Sequence, residues 1–330
     1  MLTQPDSHAV LSRWFGRPWP PGFMFPSCLC CASGAIGYYS GGLSVATTQV
    51  VCDRFVFASE TSAASTVSDL SQARHFLAAA SNPSNDGYWF GGNTFGGPVV
   101  TADKMPFSTE ATAAQTTANL SVARQELSGI SERSTKAYIG GGFSTITYLA
   151  TTDMLTFSTD ITSAQTTADL SAARRSLAGL TEGNTKGYWC GGNSAPGSAT
   201  LTDKIVFSTD ATSAATTANL TVARQDVPGA SDGSSHGYII GGYFPVDGFC
   251  NKLTFSSDTT ASATTGNITR RFAAGSSDGT IAVFAGGTTG AAVAVNTYDK
   301  ITFASDTSAS LAATLSVARY GLAACSTAAL

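Results

Sequence analysis

The sequence predicts an all-β fold, a closed ring of six sheets, and three observations carry that prediction. A Gly-Gly pair returns at Gly41-Gly42, Gly91-Gly92, Gly141-Gly142, Gly191-Gly192, Gly241-Gly242 and Gly286-Gly287, with a step of 50 residues four times and 45 once. An arginine returns in step, at Arg74, Arg124, Arg174, Arg224, Arg270 and Arg319. Between these landmarks runs a stretch of period-two alternation that ends in phenylalanine. A fixed period of this size marks a repeat architecture, in which each unit buries its faces against its neighbours.

Composition sets the limits. The chain has 330 residues, 43% hydrophobic and only 12% charged, with a net charge of −4. That is ample for a core, and it leaves a surface of Ser, Thr, Gly and Ala. The charge balance supplies no electrostatic reason to bind nucleic acid. No run of eighteen apolar residues is present, so membrane insertion is not expected. Asp6 and His8 come early and no apolar stretch follows, so a secretory signal is not expected either.

Residues 1–34 lie outside the repeat and read as an N-terminal docking arm. They hold Trp14, Phe15, Trp19, Phe23 and Phe25 among prolines and glycines. Proline at that density rules out a helix and imposes extended or turn geometry. Exposed aromatics are costly, so the arm is expected to dock, either on its own domain or into a neighbouring subunit. Cys28, Cys30 and Cys31 lie close enough for a bridge or a metal, and buried or idle thiols are the simpler reading. The seven cysteines are odd in number and ignore the repeat.

Residues 35–330 read as six four-stranded units. After each arginine comes a short strand of small residues, such as Ser176 to Leu180, suited to a crowded inner wall. A polar turn, Glu182 to Thr185, leads into GYWCGG, where Tyr188 and Cys190 share one face and Trp189 takes the other. The glycine pair ends that strand, where backbones approach closely or φ turns positive. The third strand carries Phe55/Phe57, Met105/Phe107, Leu155/Phe157, Ile205/Phe207, Leu253/Phe255 and Ile301/Phe303 on one face. Ser208-Thr209-Asp210 with Thr212 supplies turn chemistry. The fourth, outermost strand is expected near Ala218 to Arg224, its threonines facing water.

Four strands per 45–50 residues with a Gly-Gly signature match the blade of a β-propeller. The landmarks resemble the kelch repeat, part of the galactose-oxidase-type propellers. There too a tyrosine stands three places before Gly-Gly, as Tyr38, Tyr88, Tyr138, Tyr188 and Tyr238 do here, and an arginine opens the innermost strand. The chain departs from kelch at FSTDATS, where a Tyr-Asp-Pro turn and a tryptophan are usual. The resemblance implies a divergent kelch-like family, with no partner carried over. Closure follows from counting: six copies of strands two to four need six inner strands, and the inter-repeat segments supply five. Tyr320 to Cys325 resembles the sixth and would complete the first blade; the competing arrangement takes that strand from Cys28 to Ala32.

Catalytic signatures are missing. His8, His75 and His236 occupy unrelated positions, and no phosphate-binding glycine loop or HExxH occurs. No catalytic residue, metal or cofactor is expected. The repeat arginines admit two readings: an axial ring of guanidinium groups that binds anions, or structural pairs with carboxylates and carbonyls, with Asp203 and Asp210 at hand. The structural reading is the simpler. Repeats differ most after Gly-Gly, and Tyr243, Phe244 and Phe249 form the most apolar of these loops, a candidate partner anchor. Low charge, abundant small polar residues and near-identical FSTDATS-type repeats resemble propeller proteins of tailed bacteriophages. The resemblance implies a virion component in tail, fibre or capsid decoration, joined to other virion proteins by its arm and reaching a host-surface glycan or protein. The alternative is a secreted or cell-surface binding module.

Overall fold

The computed structural model describes residues 34–45, 47–243, 248–263, 268–289 and 293–328. Trp14, Phe15, Trp19 and the Cys28–Cys31 group lie outside the described residues. Residues 35–330 form one compact unit. Its strands assemble into six antiparallel four-stranded sheets arranged as blades in a ring, a six-bladed β-propeller.

The blade built on GYWCGG shows the pattern. Its inner strand Ala178–Glu182 pairs with Lys186–Cys190, which pairs with Thr202–Val206, which pairs with the outer strand Ala211–Ala214. Alternation sorts the side chains as the sequence predicts. Tyr188 and Cys190 pack forward with Leu253 and Phe255 of the next blade, and Tyr188 stacks on Phe255 at 5.5 Å. Trp189 packs backward with Ile130 and Tyr138. Burial of each such aromatic contributes about 1.5–3 kcal/mol. The inner wall is as crowded as its small residues imply: a Cβ on Gly129 would stand 2.2 Å from the Ala79 carbonyl oxygen, and one on Gly179 would stand 2.5 Å from that of Gly129.

The ring closes with the C-terminal strand. Ala323–Ser326 takes the inner position of the first blade and pairs with Ile36–Ser40 through Gly37↔Ser326 and Tyr38↔Cys325. The alternative supply from residues 28–32 is thereby excluded, because the edge it needed is occupied.

One expectation is corrected. The outer strand is Ala211–Ala214, not the stretch from Ala218 to Arg224. Asp210 adopts φ +51°, a left-handed conformation that aspartate tolerates, and this turns the chain at once into the outer strand. A short 3-10 turn, Thr216–Ala218, follows. Residues 219–224 then run back toward the axis, with Leu220 and Arg224 buried.

Candidate functional site

The glycine pairs and the arginines are two halves of one inter-blade lock. The Gly142 N–H donates to the Arg174 carbonyl at 2.8 Å, while the Arg174 side chain donates from Nη1 to the carbonyls of Gly191 at 2.6 Å and Leu201 at 2.7 Å. One arginine therefore holds the glycine pairs of two successive blades. Gly142 has φ +114°, outside the range of side-chain-bearing residues, so glycine is required there. Arg74, Arg124, Arg174, Arg224 and Arg319 are fully buried, and Arg270 nearly so. Arg74 meets Asp103, Arg124 meets Asp153, Arg174 meets Asp203, Arg270 meets Asp299 and Arg319 meets Asp53. Arg224 meets Asn251 instead. Sequestered in this way, the guanidinium groups do not form an axial anion site. Asp210 is engaged elsewhere, joining Lys136 and Tyr138 of another blade in an inter-blade contact.

The same end of the inner strands carries a second ring. Two residues after each arginine stand Phe76, Glu126, Ser176, Asp226, Phe272 and Gly321, all with φ between +54° and +64°. Each donates its N–H to the carbonyl of the equivalent residue one blade back, over 2.6 to 3.0 Å, so six hydrogen bonds close a circle around the axis. Left-handed backbone is uncommon for residues other than glycine and costs on the order of 1 kcal/mol each. The cyclic hydrogen bonding holds it here.

This circle is the mouth of a cavity of about 80 Å³, floored by Leu77, Leu127, Leu177, Val227, Ala273 and Leu322. Its two halves differ. On one side Phe76 and Phe272 lie 4.9 Å apart between ring centres, and Tyr320 stands 6.0 and 6.1 Å from them. Gly321 makes room: a Cβ there would meet the Phe76 ring at 2.6 Å. On the other side Ser176 Oγ donates to Glu126 Oε2 at 2.5 Å, and Arg175 Nη1 donates to Glu126 Oε1 at 2.9 Å. Asp226 completes this half. Burial, then the nearby Glu126 charge, pushes its carboxyl up to about 7. Arg175 lies over the rings of Phe143 and Tyr148 at 4.9 and 5.3 Å, and Arg271 over Tyr243 at 4.8 Å.

Around the mouth stand the hairpins that follow the glycine pairs. Their tips expose Val45 (99%), Phe95 (70%), Ile146 (88%) and Val293 (59%). Of the predicted anchors, Tyr243 faces Arg271, Phe249 is exposed, and Phe244 lies outside the described residues. At the far end of the axis a cavity of about 130 Å³ is lined by hydroxyl-bearing Ser81, Ser131, Thr181, Ser231, Ser277 and Ser326, with Arg133 beside them.

The mouth residues are not legible in the sequence as a group. The usable signal is chemical variety at a fixed register, two places after each arginine, in units that otherwise repeat. Among the described residues no three His, Cys, Asp or Glu side chains gather to hold a metal, and no helix is long and apolar enough to cross a membrane. No protein-family model matches the chain, and no characterised protein matches it in sequence.

Proposed function

We propose that this chain is a non-enzymatic structural or adhesive protein of a virion, a divergent kelch-like propeller of the type tailed bacteriophages encode. In this reading it works by binding, through the face that bears the glycine-pair hairpins. The observation that carries it is the set of apolar tips, Val45, Phe95, Ile146 and Val293, raised on one face of blades that are otherwise near copies. Exposed apolar side chains gathered on one face mark interaction surfaces, and loops on a rigid scaffold are where recognition is usually placed. The virion setting draws support from the low charge and the Ser/Thr/Ala/Gly-rich repeats. The aromatic segment with Trp14, Phe15 and Trp19 would engage other virion proteins, and the rim would meet a host-surface glycan or protein.

Mass spectrometry of purified particles tests the setting, with peptides of this chain expected. Absence from particles overturns it. Deletion of residues 1–34 should leave a folded ring that no longer incorporates. The double substitution Phe95→Ser with Ile146→Ser should abolish adhesion while the melting temperature stays within a few degrees of the parent. Normal adhesion by that variant would remove the rim from the proposal.

A further inference from the structure

We propose that the axial mouth on the hairpin face binds one terminal, uncharged sugar residue, with its apolar face on Phe76 and Phe272 and its hydroxyls on Glu126, Ser176 and Asp226. The proposal rests on the adhesive reading above and names the class of ligand for that face.

Charge narrows the choice. Glu126 stands in the mouth, so an anion meets its carboxylate. Arg175 is bonded to Glu126, and Arg271 acts on Asp226 from the rim, so a cation meets two guanidinium groups. A neutral ligand avoids both penalties. Hydrogen-bond capacity narrows it further. With its carboxyl pushed up to about 7, Asp226 offers an O–H donor as well as an acceptor near neutral pH. Ser176, whose O–H is given to Glu126, offers an acceptor; Glu126 accepts through its remaining lone pairs, and Arg175 has further N–H groups to donate. Such a mixed row complements vicinal hydroxyls, each of which donates and accepts.

Shape completes the argument. A pyranose has a C–H face and a polar edge, and the mouth is divided in the same manner. Phe76 and Phe272, 4.9 Å apart, tilted 50° to each other and both half-buried, offer apolar ring surface on one side of the mouth. The floor of Leu77, Leu127, Leu177, Val227, Ala273 and Leu322 is apolar, and a low local dielectric strengthens polar contacts beside it. The cavity is small, about 80 Å³, which suits a single ring at the mouth.

The test is saturation-transfer NMR on the full chain, with methyl β-galactoside, methyl α-glucoside and methyl N-acetyl-β-glucosaminide as probes. Methylammonium and acetate serve as the charged comparators. At least one glycoside should bind, and its affinity should fall tenfold or more in Phe272→Ala and in Asp226→Ala. If Phe272→Ala does not fold, Phe272→Leu removes the flat ring while keeping apolar contact and reads the same quantity. The site is overturned if none of the glycosides binds, if a charged probe binds more tightly than all of them, or if both variants bind as the parent does. Presence in particles together with indifference to every glycoside overturns the site alone. Glycoside binding by a chain absent from particles leaves the site standing and overturns the virion setting.

Discussion

Arg224 donates from Nη2 to Oδ1 of Asn251 at 2.5 Å, at the place where the other five repeat arginines each meet an aspartate. Asn251 lies opposite Ile239 as Asp203 lies opposite Trp189, so the register is the same; the amide lacks the charge and donates from Nδ2 to Thr221 Oγ1 at 2.8 Å and to the Ala261 carbonyl at 3.3 Å. The ring therefore holds a buried guanidinium faced by an amide, and burial pushes its pKa down to about 10. The arginine is already desolvated in the parent, so Asn251→Asp adds a charge-assisted bond without a second arginine penalty. A gain of about 1–3 kcal/mol is expected, read as a melting temperature several degrees higher. No gain, or a loss, would mean that the carboxylate's own desolvation and the lost amide bonds to Thr221 and Ala261 outweigh the pair.

The opposite experiment takes a complete lock apart. Arg174→Met leaves Asp203 fully buried with its arginine removed and strips the carbonyls of Gly191 and Leu201 of their donor. A loss of about 3–5 kcal/mol is expected. Arg54→Ala provides the contrast: its pair with Glu110 is roughly one-third exposed, so the loss should stay below about 1 kcal/mol. Chemical denaturation of both variants checks the ordering. An unchanged Arg174→Met together with lost partner binding would return the arginines to a recognition role.

Closure by Ala323–Ser326 makes the two ends of the ring depend on each other. The strand fills the inner edge of the first blade, and Thr327 adds hydrogen bonds with Ile36 across 291 residues of chain. Ending the chain after Leu322 should remove an inner strand, expose Tyr38 and Tyr39, and lower the melting temperature by more than ten degrees or abolish a cooperative transition. Far-UV circular dichroism during heating reads this directly. A truncated chain that melts as the parent does would mean that the ring is held by blade-to-blade packing alone.

The parts of the fold legible in the sequence are those that chemistry makes obligatory. Gly142 must be glycine because φ is +114°, and Arg174 must be arginine because one side chain has to reach two carbonyls and a carboxylate. Tyr188 and Trp189 announce two buried faces by alternating. The outer strand is harder to place because residues 218–224 alternate apolar and polar as a strand does. In the fold that alternation serves another purpose: Leu220 wedges beside Gly191, and Arg224 reaches a buried partner. The mouth is illegible for a different reason. Each repeat contributes one residue to it, and Phe76, Glu126 and Asp226 share no chemistry that a repeat pattern would reveal. Their relation exists only once the ring brings them to one circle.

Asp226 gives that circle a pH dependence with a definite sign. The residue is 5% exposed. Burial first, and Glu126 after it, raise its carboxyl from 3.8 to about 7, while Ser176, Arg271 and Gln225 pull the other way. In the unfolded chain the group ionises near its ordinary value, whereas the folded chain keeps the proton until about 7. Across that window the folded state holds the extra proton, so stability must fall as pH climbs from about 4 to about 7, then level off. The full span is worth up to about 4 kcal/mol at roughly 1.36 kcal/mol per unit. Asp258 acts in the other sense: its own burial would raise it, yet Lys204, Tyr188 and Lys186 hold it at about 2. Its contribution is present above about 4 and lost as pH drops toward 2, so the two windows do not overlap. Urea midpoints at pH 5, 6, 7 and 8 should decline for the parent but not for Asp226→Asn, in which burial of His75, by lowering its pKa, leaves a rise from pH 5 toward 7; Asp226→Asn should also be the more stable protein at pH 8. If the decline persists in Asp226→Asn, the proton belongs to another group and the mouth carries a charged Asp226 at neutral pH.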